Sequence, residues 1–212
     1  MTNKMDILLN IADVFPVSYS NGPGRRTVIW IQGCTLKCPG CFNQEFQPHI
    51  KRYLVDPGDF ANRITNLCKF HQCEGITITG GEPFQQSRAL CEFIESIKKE
   101  GLSITVFSGY KYHELIRSKE KYVRVLLQHI DLLIAGPFNH TVKYNRTWFD
   151  DPDKELIYLT DIIQPKMSND SKNENDLEII LEEATISVTG FPEKHDYDVL
   201  KDILKTCQIK TK

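Results

Sequence analysis

The stretch TVIWIQGCTLKCPGC, residues 27–41, decides how this chain of 212 residues is organised. Residues 27–32 are mostly β-branched or aromatic and end at Gly33, which predicts a buried strand. Three cysteines follow at once, Cys34, Cys38 and Cys41. The sequence therefore predicts a thiol-rich loop at the C-terminal end of a strand.

The order of strand, glycine-containing loop and helix recurs along the chain. Strands are predicted at 27–32, 75–79, 103–107 and 131–135, and helices at 57–71, 84–100, 112–117 and 121–128. Strands that alternate with amphipathic helices predict an α/β fold with a parallel sheet. Because parallel strands end at one edge of a sheet, the loops 33–42, 80–83 and 108–110 are expected to converge on one site.

Composition excludes several classes of protein. The 26 basic and 28 acidic residues leave a net charge of −2, which gives no electrostatic case for a nucleic-acid or anionic-membrane partner. Asp6, Asn10 and Asp13 interrupt the N-terminus, which therefore lacks a signal-peptide core, and no apolar run approaches the ~20 residues of a membrane span. We expect a cytoplasmic protein. Seven cysteines without an export signal favour metal ligation or buried thiols over disulfides.

The C-terminal part of the chain differs from the rest in pattern. We expect a core over residues 1–165 and an extension over 166–212 that packs on it. The extension is predicted to contain a polar linker (166–176), a short helix (177–182), an edge strand added to the core (185–190) and an amphipathic helix from Lys194 onward. Residues 156–163 are predicted to form a strand at the end of the core.

The Cys-x3-Cys-x2-Cys spacing indicates a metal centre. Thiolates bind iron–sulfur clusters and zinc. Structural zinc sites pair two ligand halves, and the sequence shows no matching second half. Three thiolates can instead hold a [4Fe–4S] cluster by three corners and leave one iron open to a small molecule. Zinc binding or simple burial of the thiols remains the alternative at this point.

The spacing of these cysteines resembles that of the radical S-adenosylmethionine (SAM) superfamily, and Gly80-Gly81-Glu82-Pro83 resembles its Gly-Gly-Glu-Pro segment. The resemblance implies a [4Fe–4S] cluster on Cys34, Cys38 and Cys41. It also implies SAM on the open iron, cleaved after one-electron reduction to methionine and a 5′-deoxyadenosyl radical. Glycine lets the backbone approach a ligand closely, and free carbonyls accept from an ammonium group, so the segment suits the amino end of SAM.

Within the superfamily the chain is most similar to the glycyl-radical activating enzymes, in particular the small activating proteins of anaerobic ribonucleotide reductases. The similarity covers residues 10–160 and is carried by NGPGR (21–25), GCTLKCPGCFNQ (33–44), SGY (108–110) and DLLIAGPF (131–138). It implies an incomplete TIM-type barrel and an oxidoreductase that generates a glycyl radical in a partner enzyme. A flavodoxin- or ferredoxin-type protein is the implied electron donor.

The resemblance also implies which residues contact SAM. Gly40, Cys41 and Phe42 would lie near the adenine. The methionyl end would meet Gly80, Gly81, Glu82 and Pro83, and Tyr110 would line the pocket. The chain departs from the family at Ala135, where an acidic residue is common, and in its additional C-terminal part. These departures leave open which macromolecule is the target.

Two other functions remain open from the sequence. One is a radical SAM enzyme that acts directly on a small molecule or peptide, and the other is a non-enzymatic iron–sulfur or zinc protein. Cys68 and Cys91 lie on apolar helix faces and are predicted to pack as small hydrophobic groups, with a second metal site at Cys68, His71 and Cys73 as the alternative. Arg25 and Arg26 are equally consistent with surface charge and with contacts to SAM or to the target.

Overall fold

The computed structural model describes residues 7–139, 154–163, 177–182 and 185–190. The strands are β1 (Leu9–Ser18), β2 (Arg26–Ile31), β3 (Tyr53–Val55), β4 (Gly75–Gly80), β5 (Ser103–Ser108), β6 (Leu132–Ala135), β7 (Glu155–Tyr158), β8 (Leu177–Glu182) and β9 (Thr185–Gly190). The α-helices are α1 (Pro57–Phe70), α2 (Ser87–Lys99), α3 (Tyr112–Ile116) and α4 (Lys121–Leu127). Short 3-10 helices cover Gln44–Phe46 and Pro83–Gln86.

A mixed seven-stranded sheet forms the centre of the molecule, in the order β3-β1-β2-β4-β5-β6-β7. Its central strands β2, β4, β5 and β6 are parallel and are joined by helical crossovers, which confirms the predicted α/β class. The flanking strands β1, β3 and β7 run antiparallel to their neighbours. In the part of the chain that the structure describes, β3 and β7 are the edges of this sheet, so the incomplete TIM-type barrel stays a prediction.

The hydrophobic core lies between the sheet and helices α1 and α2. Phe60 of α1 and Phe93 of α2 pack with ring centroids 5.2 Å apart. Helix α1 begins at Pro57, where the Asp56 side chain caps it by accepting from the backbone N–H groups of Gly58 and Asp59. The thiols of Cys68 and Cys91 are buried in this core, as predicted. This packing holds the parallel strands in register and brings their C-terminal ends together.

Two strands of the central sheet were not predicted from the sequence. β1 pairs with β2 through two irregularities, between Ile11 and Asp13 and between Phe15 and Ser18. Such bulges break the two-residue alternation that identifies a strand in sequence. β3 is only 3 residues long and lies at the edge. β3 also depends on a partner, β1, that is distant in sequence.

The C-terminal strands correct two expectations. Residues 177–182 form strand β8 and not a helix, because they pair antiparallel with β9. β9 was expected to extend the core sheet, but it forms a separate two-stranded sheet with β8, and the edge strand added beside β6 is β7. The predicted linker 166–176 and the helix from Lys194 lie outside the described residues.

Hydrogen bonds anchor the β8–β9 hairpin to the loop between β1 and β2, at the N-terminal end of the parallel strands. The Glu178 carboxylate accepts hydrogen bonds from the Tyr19 backbone N–H at 2.7 Å and the Ser20 hydroxyl at 2.8 Å. The Asn21 side-chain amide donates to Thr189 Oγ1 at 2.8 Å. Because residues 19–25 connect the end of β1 to the start of β2, this contact lies at the opposite end of β2 from the cysteine loop. Among the described helices, none has the length and apolar character needed to cross a membrane.

Candidate functional site

Three loops meet at the C-terminal ends of the parallel strands, as predicted: the cysteine loop (33–42) after β2, the second loop (80–83) after β4 and the third loop (108–110) after β5. The cysteine loop leaves β2 at Gly33, whose backbone N–H donates to the Phe46 carbonyl at 2.7 Å. The next N–H, that of Cys34, donates to the Gln47 carbonyl at 2.9 Å and closes the base of this loop. The loop after β4 lies directly beside this base, since the Glu82 N–H donates to the Gly33 carbonyl at 2.9 Å.

The cysteine loop has a tight, partly left-handed backbone. Lys37 and Gly40 have φ of 51° and 70°, and the Cys41 N–H donates to the Cys38 carbonyl at 3.3 Å. Cys34 is buried, and its burial raises the pKa of its thiol, whereas Cys38 and Cys41 are partly exposed. Burial therefore disfavours release of the Cys34 proton, which a thiol must lose to become a metal ligand.

The donor set of the loop fits an iron–sulfur cluster better than zinc. All three candidate ligands are soft thiols, which iron–sulfur clusters use, and a closed zinc site needs a fourth protein ligand. Within residues 7–139 and the shorter described segments, no three His, Cys, Asp or Glu side chains are gathered in a metal-binding arrangement. The structure therefore places the three cysteines on one loop without bringing their sulfur atoms together, and their role as ligands stays a prediction.

The glycines after β4 allow two backbones to lie in close contact. A Cβ atom on Gly81 would stand 2.3 Å from the Gly33 carbonyl oxygen. Gly80 has φ of 101°, and a Cβ there would lie 2.5 Å from the Ile31 backbone nitrogen. Real Cβ atoms essentially never approach backbone atoms this closely, so both positions require glycine. The sequence Gly80-Gly81 thus sets the second loop against the base of the cysteine loop.

Glu82 connects the second loop to the third. Its carboxylate caps the 3-10 helix that Pro83 begins, by accepting from the Phe84 N–H at 3.0 Å. It also accepts from the Ser108 hydroxyl at 3.0 Å and the Gly109 N–H at 2.8 Å. Burial raises the pKa of Glu82 to about 7, although these hydrogen bonds and Lys154 oppose the shift. The observed partners of this side chain are protein groups, and its contact with SAM stays a prediction.

Aromatic side chains flank the cysteine loop. The exposed ring of Phe42 packs edge-to-face on Phe138, with centroids 5.1 Å apart. Phe138 follows Gly136 and Pro137 after β6, and the Gly136 N–H donates to the Ser108 carbonyl at 3.0 Å. The fourth loop therefore joins the other three. Phe138 was not among the predicted site residues, although it belongs to the GPF segment that the family resemblance includes.

Gln85 is a second residue of this region that the sequence did not single out. Its side-chain amide reaches both Thr35 of the cysteine loop and the Tyr110 hydroxyl of the third loop. A glutamine after a turn carries no recognisable pattern, so only the tertiary contact identifies it. Tyr110, which was predicted, is partly buried at this edge.

Arg26 is not a surface charge, because it is buried. It does not contact the candidate site either, because it lies at the N-terminal end of β2, away from the cysteine loop. It is 1% exposed, and its guanidinium donates to the backbone carbonyls of Ile76 at 2.6 Å and Ser103 at 2.8 Å. Burial lowers its pKa to about 10. Arg25 lies at the same end, with its guanidinium 5.5 Å from the Tyr19 ring centroid. Both arginines stabilise the end that faces away from the cysteine loop.

The thiols of Cys68 and Cys73 also lie away from the cysteine loop. The Cys68 thiol donates to the Thr27 hydroxyl at 3.3 Å, and the Cys73 sulfur lies 3.6 Å from the same oxygen. Burial raises the pKa of Cys68 to about 11, which disfavours the thiolate that a metal would require. Among the described residues, no third ligand gathers beside them. These contacts favour packing over a second metal site.

Comparison with known proteins places residues 20–158 in a family model described as a 4Fe-4S single cluster domain. The chain is 32% identical over 136 residues to the anaerobic ribonucleoside-triphosphate reductase-activating protein of Haemophilus influenzae, covering 61% of this chain and 84% of the relative. For the proteins of the same name in Enterobacteria phage T4 and Escherichia coli K12, identity is 24% over 157 residues and 29% over 149 residues. These alignments cover 72% and 64% of this chain, and 96% and 88% of the relatives.

Among solved structures, the chain is similar to QueE from Escherichia coli. The TM-score is 0.38 with 17% sequence identity, over 50% of this chain and 53% of QueE. This chain thus matches only about half the length of QueE. The family match ends at residue 158, in β7, so the β8–β9 hairpin lies beyond it.

Proposed function

Because this chain belongs to the 4Fe-4S single cluster domain family, we propose that it is a radical SAM enzyme that activates a glycyl-radical partner. One structural observation supports this most directly. The Gly80-Gly81 backbone lies against the base of the cysteine loop, with a Cβ on Gly81 only 2.3 Å from the Gly33 oxygen. A cluster on the cysteines and a ligand on the glycine loop would therefore be neighbours.

The proposed ligands of the [4Fe–4S] cluster are Cys34, Cys38 and Cys41. When bound, the reduced cluster and SAM supply a one-electron cleavage that yields methionine and a carbon radical able to take a hydrogen atom. Backbone groups at Gly80 and Gly81 would bind the methionyl end, since glycine leaves them accessible.

The remaining proposed SAM contacts surround these two loops. Gly40 and Phe42 lie on the cysteine loop, and the exposed Phe42 ring offers a surface for the adenine. Tyr110, at the end of the loop after β5, would line the SAM pocket. Glu82 and Pro83 begin the 3-10 helix, and the Glu82 carboxylate holds the third loop in place through Ser108 and Gly109.

The named relatives support the choice of partner. Those proteins are activators of anaerobic ribonucleoside-triphosphate reductase. We propose that this chain acts on a glycine of an enzyme of that type and receives its electron from a flavodoxin- or ferredoxin-type protein. We further propose that residues 1–165 form the catalytic core, as an incomplete barrel, and that residues 166–212 form an extension packed on it.

Anaerobic reconstitution tests this function. The reconstituted protein is expected to be brown, to carry about four irons per chain, and to release 5′-deoxyadenosine only when dithionite is present. Addition of a glycyl-radical enzyme should give a glycyl doublet in the electron paramagnetic resonance (EPR) spectrum. A colourless, air-stable protein with one zinc per chain would contradict the proposal. SAM cleavage without a glycyl radical on any such enzyme would favour direct action on a small molecule or peptide.

A further inference from the structure

We propose that Gln85 is a positioning residue that holds the start of the cysteine loop against the loop after β5. This inference rests on the proposed function, because it concerns how the cluster-bearing loop is oriented toward the SAM loops. Gln85 lies on the 3-10 helix Pro83–Gln86, between these two loops. It contributes no ligand of its own.

The Gln85 amide uses both of its ends. Its Oε1 atom accepts from the Thr35 backbone N–H at 3.1 Å. Its Nε2 atom donates to the Thr35 hydroxyl at 2.7 Å and to the Tyr110 hydroxyl at 3.0 Å. Because a backbone N–H can only donate, the orientation of the amide is determined by Thr35. One side chain therefore bridges two loops whose residues are far apart in sequence.

Three consecutive backbone N–H groups at the start of the cysteine loop, those of Gly33, Cys34 and Thr35, donate hydrogen bonds. Those of Gly33 and Cys34 donate to the carbonyls of Phe46 and Gln47, on the returning end of the same loop. The third, from Thr35, donates to Gln85. The backbone on both sides of the first cysteine is thus held: the Thr35 N–H donates to Gln85, and the Gln32 carbonyl, just before the loop, accepts from Gln86.

The two loops that Gln85 bridges also pack directly against each other. A Cβ on Gly109 would lie 2.4 Å from Leu36 Cδ1, so the third loop directly touches the cysteine loop next to Thr35. The same third loop is bonded to Glu82, whose carbonyl accepts from the Gln85 N–H at 3.1 Å. Loss of the Gln85 amide should therefore allow the cysteine loop to shift relative to the loops after β4 and β5.

Gln85→Leu removes all three hydrogen bonds at nearly constant volume. Gln86→Leu is the matched control, because the neighbouring Gln86 also makes three hydrogen bonds, which go to Asn10 and to the Gln32 carbonyl. Gln85→Glu keeps an acceptor for the Thr35 N–H, and the two hydroxyls can donate to its carboxylate. This variant should therefore behave largely like the wild-type protein.

Two measurements test the proposal. In the metal-free protein, hydrogen exchange of the Thr35 amide should become roughly tenfold faster in Gln85→Leu and stay unchanged in Gln86→Leu. In the reconstituted protein, Gln85→Leu should retain its iron, give a weaker SAM-induced change in the EPR spectrum of the cluster and cleave SAM roughly tenfold to hundredfold more slowly.

The outcomes separate this inference from the proposed function. If the wild-type protein binds no cluster or leaves SAM intact, the proposed function fails, while the exchange experiment still tests the contact. If Gln85→Leu matches the wild-type protein in exchange and in the EPR change, the positioning role is overturned. An equal change in Gln86→Leu would also overturn it, because general destabilisation would then explain the result.

Discussion

The three cysteines differ in their surroundings, although one loop carries them. Cys34 lies in the protected base of the loop, while Cys38 and Cys41 are partly exposed. A cluster held by three corners cannot lose one without opening a second iron. We therefore expect alanine at any of the three positions to reduce iron retention strongly and to bring SAM cleavage to background, measured as iron per chain and 5′-deoxyadenosine released.

Cys91→Ala is the control for these substitutions. Cys91 is 3% exposed, packs in the hydrophobic core, and its thiol donates to the Tyr122 carbonyl of α4 at 3.5 Å. Its loss should lower the free energy of unfolding by about 1 kcal/mol and leave iron content unchanged. An active Cys38→Ala protein would contradict the ligand assignment.

Glu82 makes stability depend on pH. Its folded-state pKa of about 7 lies above the ordinary value of 4.5, so the folded protein binds this proton more tightly than the unfolded chain does. The stabilisation is fully present below the unfolded pKa and is lost as pH rises toward and through 7. Between pH 5 and pH 8 we expect a loss of about 2–3 kcal/mol in the metal-free protein that Glu82→Gln does not show.

Urea denaturation of both proteins at several pH values measures this difference. Glu82→Gln should be close in stability to the wild-type protein at pH 5, because the wild-type carboxyl is then protonated and, like the amide, keeps one carbonyl oxygen as acceptor for Phe84, Ser108 and Gly109. Identical pH slopes for the two proteins would show that Glu82 does not titrate in this range.

At the scale of elements, the end of β4 depends on glycine for two separate reasons. Gly80 has φ of 101°, and a Cβ there would meet the Ile31 nitrogen at 2.5 Å and the Trp30 Cα at 2.8 Å. These are backbone atoms of the neighbouring strand and cannot rotate away. Gly80→Ala should therefore cost more than about 3 kcal/mol and prevent cluster binding, measured by denaturation and by iron content.

Gly101 provides the matched comparison. It also has a left-handed backbone, with φ of 77°, but a Cβ there would meet nothing within 4 Å. Gly101→Ala should cost only about 1–2 kcal/mol, the strain of the backbone conformation, and leave the cluster intact. Equal losses for the two variants would mean that strain alone, and not the close contact of β2 and β4, accounts for the requirement at Gly80.

At the scale of the whole molecule, the site and the C-terminal hairpin lie at opposite ends of the parallel strands. Glu178 and Thr189 contact the loop 18–21, whereas the cysteine loop begins at Gly33 beyond the far end of β2. The hairpin also lies outside the region that the family shares. These positions support the proposed division into a catalytic core and an extension.

Truncation after Gln164 tests this division. SAM cleavage without a partner should remain measurable, while formation of the glycyl radical should weaken. Because β8 and β9 pair with each other, their removal leaves both edge strands of the central sheet unchanged, and the truncated protein should stay in solution. A soluble, cluster-loaded truncation that cannot cleave SAM would place the extension within the catalytic core.

Local sequence patterns are enough to specify the parallel centre of this protein and the convergence of its loops. β2, β4, β5 and β6 are short apolar runs in which local pattern and burial agree, and the crossover helices have clear amphipathic spacing. Given parallel strands, the ends of these strands must share an edge. The cysteine spacing and Gly80-Gly81 are likewise local features, which is why the sequence alone locates the candidate site.

Features that depend on pairing or contact with another part of the chain are settled by the tertiary structure. β8 is a strand because β9 pairs with it, and its pattern of apolar residues alone also allowed a helix. Arg26 can be buried because the carbonyls of Ile76 and Ser103 accept hydrogen bonds from its guanidinium, at the end of the strands away from the site. The roles of Glu82 and Gln85 as links between loops arise from contacts 27 and 50 residues away. Such contacts leave no periodic signal in the sequence, because they are set by how the strands align in space.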